Sequence, residues 1–261
     1  MLSILIPTYN TEIVKLVDAL YSQCRNLNID FEILCYDDGS LSQYKEYNLK
    51  ITEYKKVIYK EMISNLGRAK IRNLLASDAK YDKLLFLDAD SGIIRDDFIF
   101  TYIKQFSKDV IYGGRLYQDN PPEDKNKILH WKYGKEKECL DAPTRKIDPY
   151  LNFLSNNFLI DKRVFEKVKF DDNHSGYGYE DTLFALDMKK NNIEIQHIDN
   201  PVLHLGLEDK EVFIKKTENA IEILSDLYTQ NKIMDTRLIK AYKKIKKFGL
   251  TRLFSNTILL F

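Results

Sequence analysis

Leu84-Leu85-Phe86-Leu87-Asp88-Ala89-Asp90 is an apolar run of the length of a fully buried strand, and it ends in two carboxylates one residue apart. In an open α/β sheet, ligands bind beyond the carboxyl ends of the strands. Hard oxygen ligands placed there suit Mg²⁺ or Mn²⁺ together with substrate phosphates. An Asp-x-Asp after a strand also occurs in phosphatases, in nucleotidyltransferases and in ordinary capped turns, so the surrounding chain has to decide.

Upstream, Leu2-Ser3-Ile4-Leu5-Ile6-Pro7 reads as a strand with a proline stop, followed by a turn at Thr8-Tyr9-Asn10. Ile13, Leu16, Val17, Leu20, Cys24 and Leu27 recur at helical spacing. Phe31 to Tyr36 is a second strand, ending at the turn Asp37-Asp38-Gly39-Ser40, and Val57-Ile58-Tyr59 is a third. Asn65-Leu66-Gly67 then opens a helix with Ile71, Leu74 and Leu75 inward. This alternation predicts βαβ units and a parallel sheet. Parallel strands bring their carboxyl ends to one edge, so Pro7 to Asn10, Asp37-Asp38 and Asp88 to Asp90 converge. There Tyr9 can stack on a flat base and Asp38 can accept from a ring N–H. As single residues, both also fit surface turns. Arg68 and Arg72 share a helix face, toward a diphosphate, the Asp-x-Asp carboxylates or solvent.

Size and composition narrow the class. The 261 residues suffice for one large α/β domain or two small ones. With 40 basic against 39 acidic residues, no global field favours nucleic acid. Cys24, Cys35 and Cys139 have no CxxC spacing and predict free thiols. The N-terminus lacks the pattern of a signal peptide, and no stretch of about 18 apolar residues is present. A cytoplasmic location is expected.

Downstream of Asp90, a helix from about Asp97 buries Phe98, Ile99, Tyr102, Ile103 and Phe106, and Val110 to Gly114 reads as a strand. Residues 117–149, with Pro121-Pro122, Pro143 and Pro149 among many charges, read as a long irregular loop suited to a lid. Trp131 within it is either an acceptor platform or a core anchor. Phe153 to Ile160 is a strand with polar residues at its middle. Gly176-Tyr177-Gly178-Tyr179-Glu180-Asp181 is a glycine turn running into a helix. Acids at a helix start commonly serve as caps, but flanking glycines and tyrosines describe a turn that approaches a ligand closely. Ile193 to Ile198 and Pro201 to Leu205 complete the sheet region and deliver His204, a residue that by type alone is more often core than ligand. Two helices close the chain, the last with Met234, Leu238, Tyr242, Ile245 and Phe248 opposite five lysines.

Five stretches in this order resemble the family 2 glycosyltransferases of GT-A fold. They are Ser3 to Asn10, Asp37-Asp38-Gly39-Ser40, Asn65-x-Gly67 to Arg72-Asn73, Asp88-Ala89-Asp90, and Glu180-Asp181. The acceptor half, Gly178 to Asp181 followed by His204, is also similar to β-galactosyltransferases and polypeptide N-acetylgalactosaminyltransferases, with tyrosines where those carry tryptophan. The resemblance implies an α/β fold with a mostly parallel central sheet flanked by helices. It also implies a transferase domain over 1–208, with a nucleotide half to about 115 and an acceptor half beyond it, and a C-terminal helical extension over 209–261. Tyr9 and Asp38, beside Pro7, would hold uracil, and Asp88 would touch ribose or sugar. Asp90, with His204 and Asp88, would hold Mn²⁺ or Mg²⁺ on the diphosphate, near Arg68 or Arg72. Asp181 would be the general base and Glu180 its acceptor-positioning partner.

The expected reaction is transfer of a hexose or N-acetylhexosamine from a UDP-sugar to a glycan hydroxyl, with inversion. A helix N-terminus should favour ionised Asp181, at some cost in basicity. A catalytically silent nucleotide-binding or scaffold protein is the alternative from another class. A sugar-nucleotide pyrophosphorylase ranks lower, because a glycine-rich basic loop near the first strand is missing. The C-terminal basic helix and its tail (Leu250, Leu253, Phe254 and Ile258 to Phe261) suit either peripheral attachment to the inner face of a membrane, with a lipid-linked acceptor, or packing on the domain.

Overall fold

A computed structural model describes residues 1–172 and 178–247. Strands β1 (Leu2–Thr8), β2 (Phe31–Asp37), β3 (Val57–Glu61) and β4 (Lys83–Leu87) alternate with helices α1 (Val14–Asn26), α2 (Ser42–Asn48) and α3 (Arg68–Asp78). After β4 come β5 (Ser91–Gly92), α4 (Phe98–Ile103), β6 (Val110–Tyr112), β7 (Arg115–Leu116), α5 (Ile128–Lys137) and α6 (Ala142–Lys146). The remainder is β8 (Asn157–Asp161), α7 (Lys162–Val168), α8 (Glu180–Lys190), β9 (Ile195–His197), β10 (Val202–His204), α9 (Lys210–Thr229) and α10 (Arg237–Lys247).

The main sheet has the order β3-β2-β1-β4-β8-β6-β9. Only β8 runs against its neighbours β4 and β6, so the sheet is mostly parallel. Side chains alternate across a strand, and β4 shows why its run is apolar throughout. Leu84 and Phe86 enter one buried layer with Leu5, Phe158 and Phe184, while Leu85 and Leu87 enter the other with Ile4, Ile6 and Leu20. Stacked rings lock the first layer, Phe86 on Phe158 at 4.8 Å and Phe170 on Phe184 at 4.2 Å between centroids. The three cysteines are free, as expected.

Three expectations need correction. Residues 117–149 are not an irregular loop, since they hold α5 and α6. Their prolines mark boundaries, Pro143 sitting in the first turn of α6 while the Asp141 side chain accepts from the Thr144 N–H at 3.0 Å. Inside α5, Gly134 lies against the Tyr117 ring, where a Cβ would stand 2.1 Å from Cζ, so close packing rather than periodicity seats this helix. The strand expected from Phe153 begins only at Asn157. Finally, β10 leaves the main sheet and becomes the centre of a second one, ordered β5-β10-β7.

Pairing of β1 with β4 stops at Leu5 against Phe86, whereas its pairing with β2 continues to Thr8 against Asp37. Pro7, which has no N–H to donate, stands where β4 has already parted from β1. The gap at this edge becomes the site.

Candidate active site

A cavity of about 1220 Å³ opens at the carboxyl ends of β1, β2 and β4. Pro7, Tyr9, Asp38, Arg68, Arg72, Asp88 and Asp90 all line it, so the donor-side residues converge as the topology requires. The far wall comes from Leu205, Gly206, Glu208 and Lys216, more than a hundred residues downstream. His204, Glu180 and Asp181 are not among the lining residues.

Tyr9 stands at the rim with its side chain 53 % exposed, open to a flat ligand. Asp38 is committed more fully than the sequence suggests. Its Oδ1 accepts from the Leu66 N–H at 2.6 Å and its Oδ2 from the Gly67 N–H at 3.0 Å. It therefore positions the start of α3, where Gly67 takes a φ of +86° that favours glycine. Each carboxylate oxygen keeps a further lone pair for a ligand N–H. Asn10 ties the neighbouring loops, donating its N–H to Ser40 Oγ at 2.7 Å and accepting from the Leu41 N–H at 2.8 Å.

Asp88 is held by two guanidiniums. Arg72, almost fully buried, reaches Oδ1 at 2.7 Å, and Arg115 reaches Oδ2 at 3.3 Å. Arg115 also pairs with Glu138 at 3.0 Å, and the Tyr117 hydroxyl donates to the same Glu138 oxygen at 2.7 Å. Burial works against both charges of that pair, yet their attraction holds Arg115 above and Glu138 below the usual ranges. Both Asp88 oxygens thus face arginines, which ties this carboxylate to α3 and β7. Among the described residues, no group of three or more His, Cys, Asp or Glu is placed to hold a metal ion.

Asp90 and His204 meet because β10 pairs antiparallel with β5, setting His204 opposite Ser91, and the Leu205 N–H donates to the Asp90 carbonyl at 2.9 Å. Nδ1 of the imidazole lies 3.4 Å from Asp90 Oδ2. Burial would raise this carboxyl, but His204, then Arg115 and Arg68, outweigh it and hold it at about 2. Asp90 Oδ1 and both His204 ring nitrogens are buried without a hydrogen-bond partner. Such atoms are costly unless something satisfies them, and one carboxylate with one imidazole fits a divalent cation that completes its shell from a diphosphate. Gly206 closes over the pair, and a Cβ there would fall 2.2 Å from Asp90 Oδ2.

Glu180 and Asp181, the acids expected to serve an acceptor, stand behind the arginines of α3. Glu180 pairs with Arg68 at 3.3 Å and accepts from the Gly178 N–H at 3.0 Å. Tyr179 precedes the helix in a left-handed conformation, with a φ of +66°. Gly176 and Tyr177, the first half of the expected turn, lie outside the described residues. Asp181 accepts from Ser155 twice, from the hydroxyl at 2.6 Å and from the N–H at 3.1 Å. Here the helix-terminus expectation fails. Burial, then the neighbouring Glu180, raise the Asp181 carboxyl above its usual range despite Arg72 and Ser155.

Sequence reasoning missed Arg115, Tyr117, Glu138 and His130. A cation directly after Gly114, the end of the expected strand, was a usable signal for Arg115. Glu138 sits in a run of alternating charges that conceals it. His130, pushed down to about 4 by burial and by His204, accepts from the Glu208 N–H at 3.0 Å and so fastens the loop carrying Gly206. Trp131 is neither cavity wall nor deep core, and its indole N–H donates to the Gln118 carbonyl at 2.8 Å.

No curated protein matches the sequence. Among solved structures, the fold is similar to S. aureus TarS in complex with UDP-GlcNAc, with a TM-score of 0.60 at 19 % identity over 97 % of this chain and 72 % of that one. It is also similar to the M. tuberculosis glucosyl-3-phosphoglycerate synthase in complex with Mn²⁺, UDP and phosphoglyceric acid, with a TM-score of 0.58 at 12 % identity, covering 90 % and 80 %. The Pyrobaculum calidifontis mannosyltransferase PcManGT, in complex with GDP-Man and Mn²⁺, gives 0.56 at 15 % identity, covering 78 % and 56 %. Against two other TarS chains the match spans only 58 % and 36 % of their length. These likenesses agree on the GT-A fold. The description "Glycosyl transferase family 2" matches residues 3–171, well over half of the sequence, and the chain belongs to that family.

Proposed function

We propose that this chain transfers a hexose or N-acetylhexosamine from a UDP-sugar to a hydroxyl of a glycan acceptor, inverting the anomeric centre, with Mn²⁺ or Mg²⁺ bound by Asp90 and His204. The observation that carries this reading is the pair of buried, hydrogen-bond-deficient side chains at the edge of a cavity walled by Tyr9, Asp38 and Arg68. The solved structures similar in fold include complexes with UDP-GlcNAc, and with UDP and Mn²⁺, which supports a UDP-sugar as donor.

Tyr9 stacks on the uracil, and Asp38, already fixed by the backbone of α3, accepts from the ring N–H. Asp88, clamped by Arg72 and Arg115, presents a fixed edge to ribose or sugar. The cation supplies Lewis-acid stabilisation of charge on the departing diphosphate. Arg68 adds positive charge on the same wall. The acceptor oxygen attacks the anomeric carbon as the carbon–oxygen bond to the diphosphate breaks, and its proton passes to an Asp181 oxygen, leaving UDP. Attack and departure on opposite faces invert the centre. Burial makes Asp181 a stronger base than an exposed aspartate, and Glu180, paired with Arg68, orients the acceptor.

A panel of UDP-sugars assayed for UDP release, with Mn²⁺ and with chelator, tests the reading. Metal-dependent release from at least one donor is expected. Tight UDP binding with no release from any donor, acceptor glycans included, would favour a silent binding protein.

A further inference from the structure

Helix α10 carries Arg237, Lys240, Lys243, Lys244, Lys246 and Lys247 and no acidic residue. Only Ile239 of this helix is buried, packing with Leu224, Leu227 and Ile233 in a small core separate from the two main layers. At about 100° per residue, Leu238, Ala241, Tyr242 and Ile245 fall on one side of the helix, while Arg237, Lys240, Lys243, Lys244 and Lys247 fall on the other. The domain covers only the edge of that apolar side. Leu238 and Tyr242 remain 47 % and 44 % exposed, and Met234, just before the helix, is 42 % exposed. Among the described residues no helix is long and apolar enough to cross a membrane.

We infer that α10 is a docking surface for an anionic lipid bilayer, lying in the interface with Leu238, Tyr242 and Met234 inserted and its lysines on the headgroups. An apolar stripe flanked by cations alone is the pattern of an interfacial helix, and long lysine stems let the charge stay at headgroup level while their methylenes cover apolar surface. Charge complementarity selects the occupant: Asp235, just before the helix, pairs with Lys240 at 3.3 Å, and the other five cations, with no acid in the helix, repel a second copy of the same face. The sequence beyond α10 continues the bias, with Phe248, Leu250, Arg252, Leu253, Phe254 and Ile258 to Phe261 and again no acid. The small core under α10 is also the one that Tyr179, Leu183 and Leu186 of the α8 region pack against. The helix bearing Glu180 and Asp181 therefore lies one layer behind the docking surface. Bilayer binding stands independently of the transfer reading; joined to it, the acceptor would be lipid-linked.

The full chain is floated with vesicles of phosphatidylcholine, with and without phosphatidylglycerol, and no donor is added. Flotation with the anionic vesicles alone, weakened by salt, is expected. Each of Lys240→Gln and Lys244→Gln should lower partitioning about fivefold, corresponding to the ~1 kcal/mol a cation contributes near such a surface. Leu238→Ser should lower it roughly tenfold. These side chains are exposed, so unchanged thermal melting verifies that the variants fold. Equal flotation with both vesicle types, no flotation, or flotation indifferent to all three substitutions overturns the proposal. So does loss of binding only on removal of residues 248–261. A dimer in sedimentation velocity that Leu238→Ser dissolves while flotation persists assigns the face to a second copy and likewise overturns it.

Discussion

Asp88 and Asp90 end the same strand two residues apart, yet they occupy opposite electrostatic situations. Asp88 is paired on both sides, with each oxygen facing an arginine, one nearly buried and one tied to a further acid. Asp90 is left incomplete, one oxygen against an imidazole and the other without a partner. The contrast follows from the turn at Ala89-Asp90, closed by the Ser91 N–H on the Asp88 carbonyl at 3.1 Å, because in a continued strand residues two apart would share a face. One carboxylate turns toward α3 and β7, the other toward β10. It teaches that the two acids of an Asp-x-Asp need not be equivalent: here one is tied into the protein's own ion pairs and the other keeps a buried oxygen without a partner.

Substitutions should separate the two. The largest loss is expected for Asp90→Ala, which should cut transfer by roughly 10³-fold and abolish the metal dependence of UDP binding. Undiminished Mn²⁺-dependent binding in titration calorimetry would break the contrast at its more important end. Asp181→Asn should lower transfer by about 10²-fold while UDP binding persists. The pH profile of the unaltered protein sharpens this point. A base raised by burial and by Glu180 is ionised only above its raised value, so transfer should begin to fall, as pH drops, above the ~4 at which an ordinary aspartate titrates. A rate that stays flat down to that region would remove Asp181 as the base.

Asp88→Asn should act mainly on stability. Removing the shared partner of Arg72 and Arg115 is expected to cost about 2–3 kcal/mol in metal-free unfolding, with partial exposure keeping it at or below the range for buried pairs. Asp90→Asn should cost less than that in the same measurement, and equal costs would erase the distinction. The smallest effect is expected for Gly206→Ala, whose Cβ would press on Asp90 Oδ2 and weaken Mn²⁺-dependent UDP binding roughly tenfold with Asp88 untouched.

Much of the cavity lining was legible because Tyr9, Asp38 and the two aspartates after β4 each follow an apolar run at a strand end. Tyr9, Asp38, Asp88 and Asp90 are found by reading where hydrophobicity stops, and parallel topology does the rest. The acceptor side follows no such rule. Ser155, read as the polar middle of a strand, lies just outside β8 and holds Asp181. Glu138 looks like one charge among many until Arg115 and Tyr117 close on it. The prolines and charges of 117–149 suggested irregular chain, whereas α5 is seated by a glycine against the Tyr117 ring, a contact without a periodic signature.

By itself, then, the order of apolar runs, turns and acids determined the layered α/β architecture, the family, and the sheet edge at which the cavity opens. These are local patterns repeated along a chain whose strand directions are constrained. Tertiary structure alone decided which acid is paired and which is left open, that Asp181 is buried enough to be a stronger base, and that His204 reaches Asp90 through a second small sheet. Each depends on the charges and the dielectric brought around a side chain by residues far away in sequence, and no spacing encodes those.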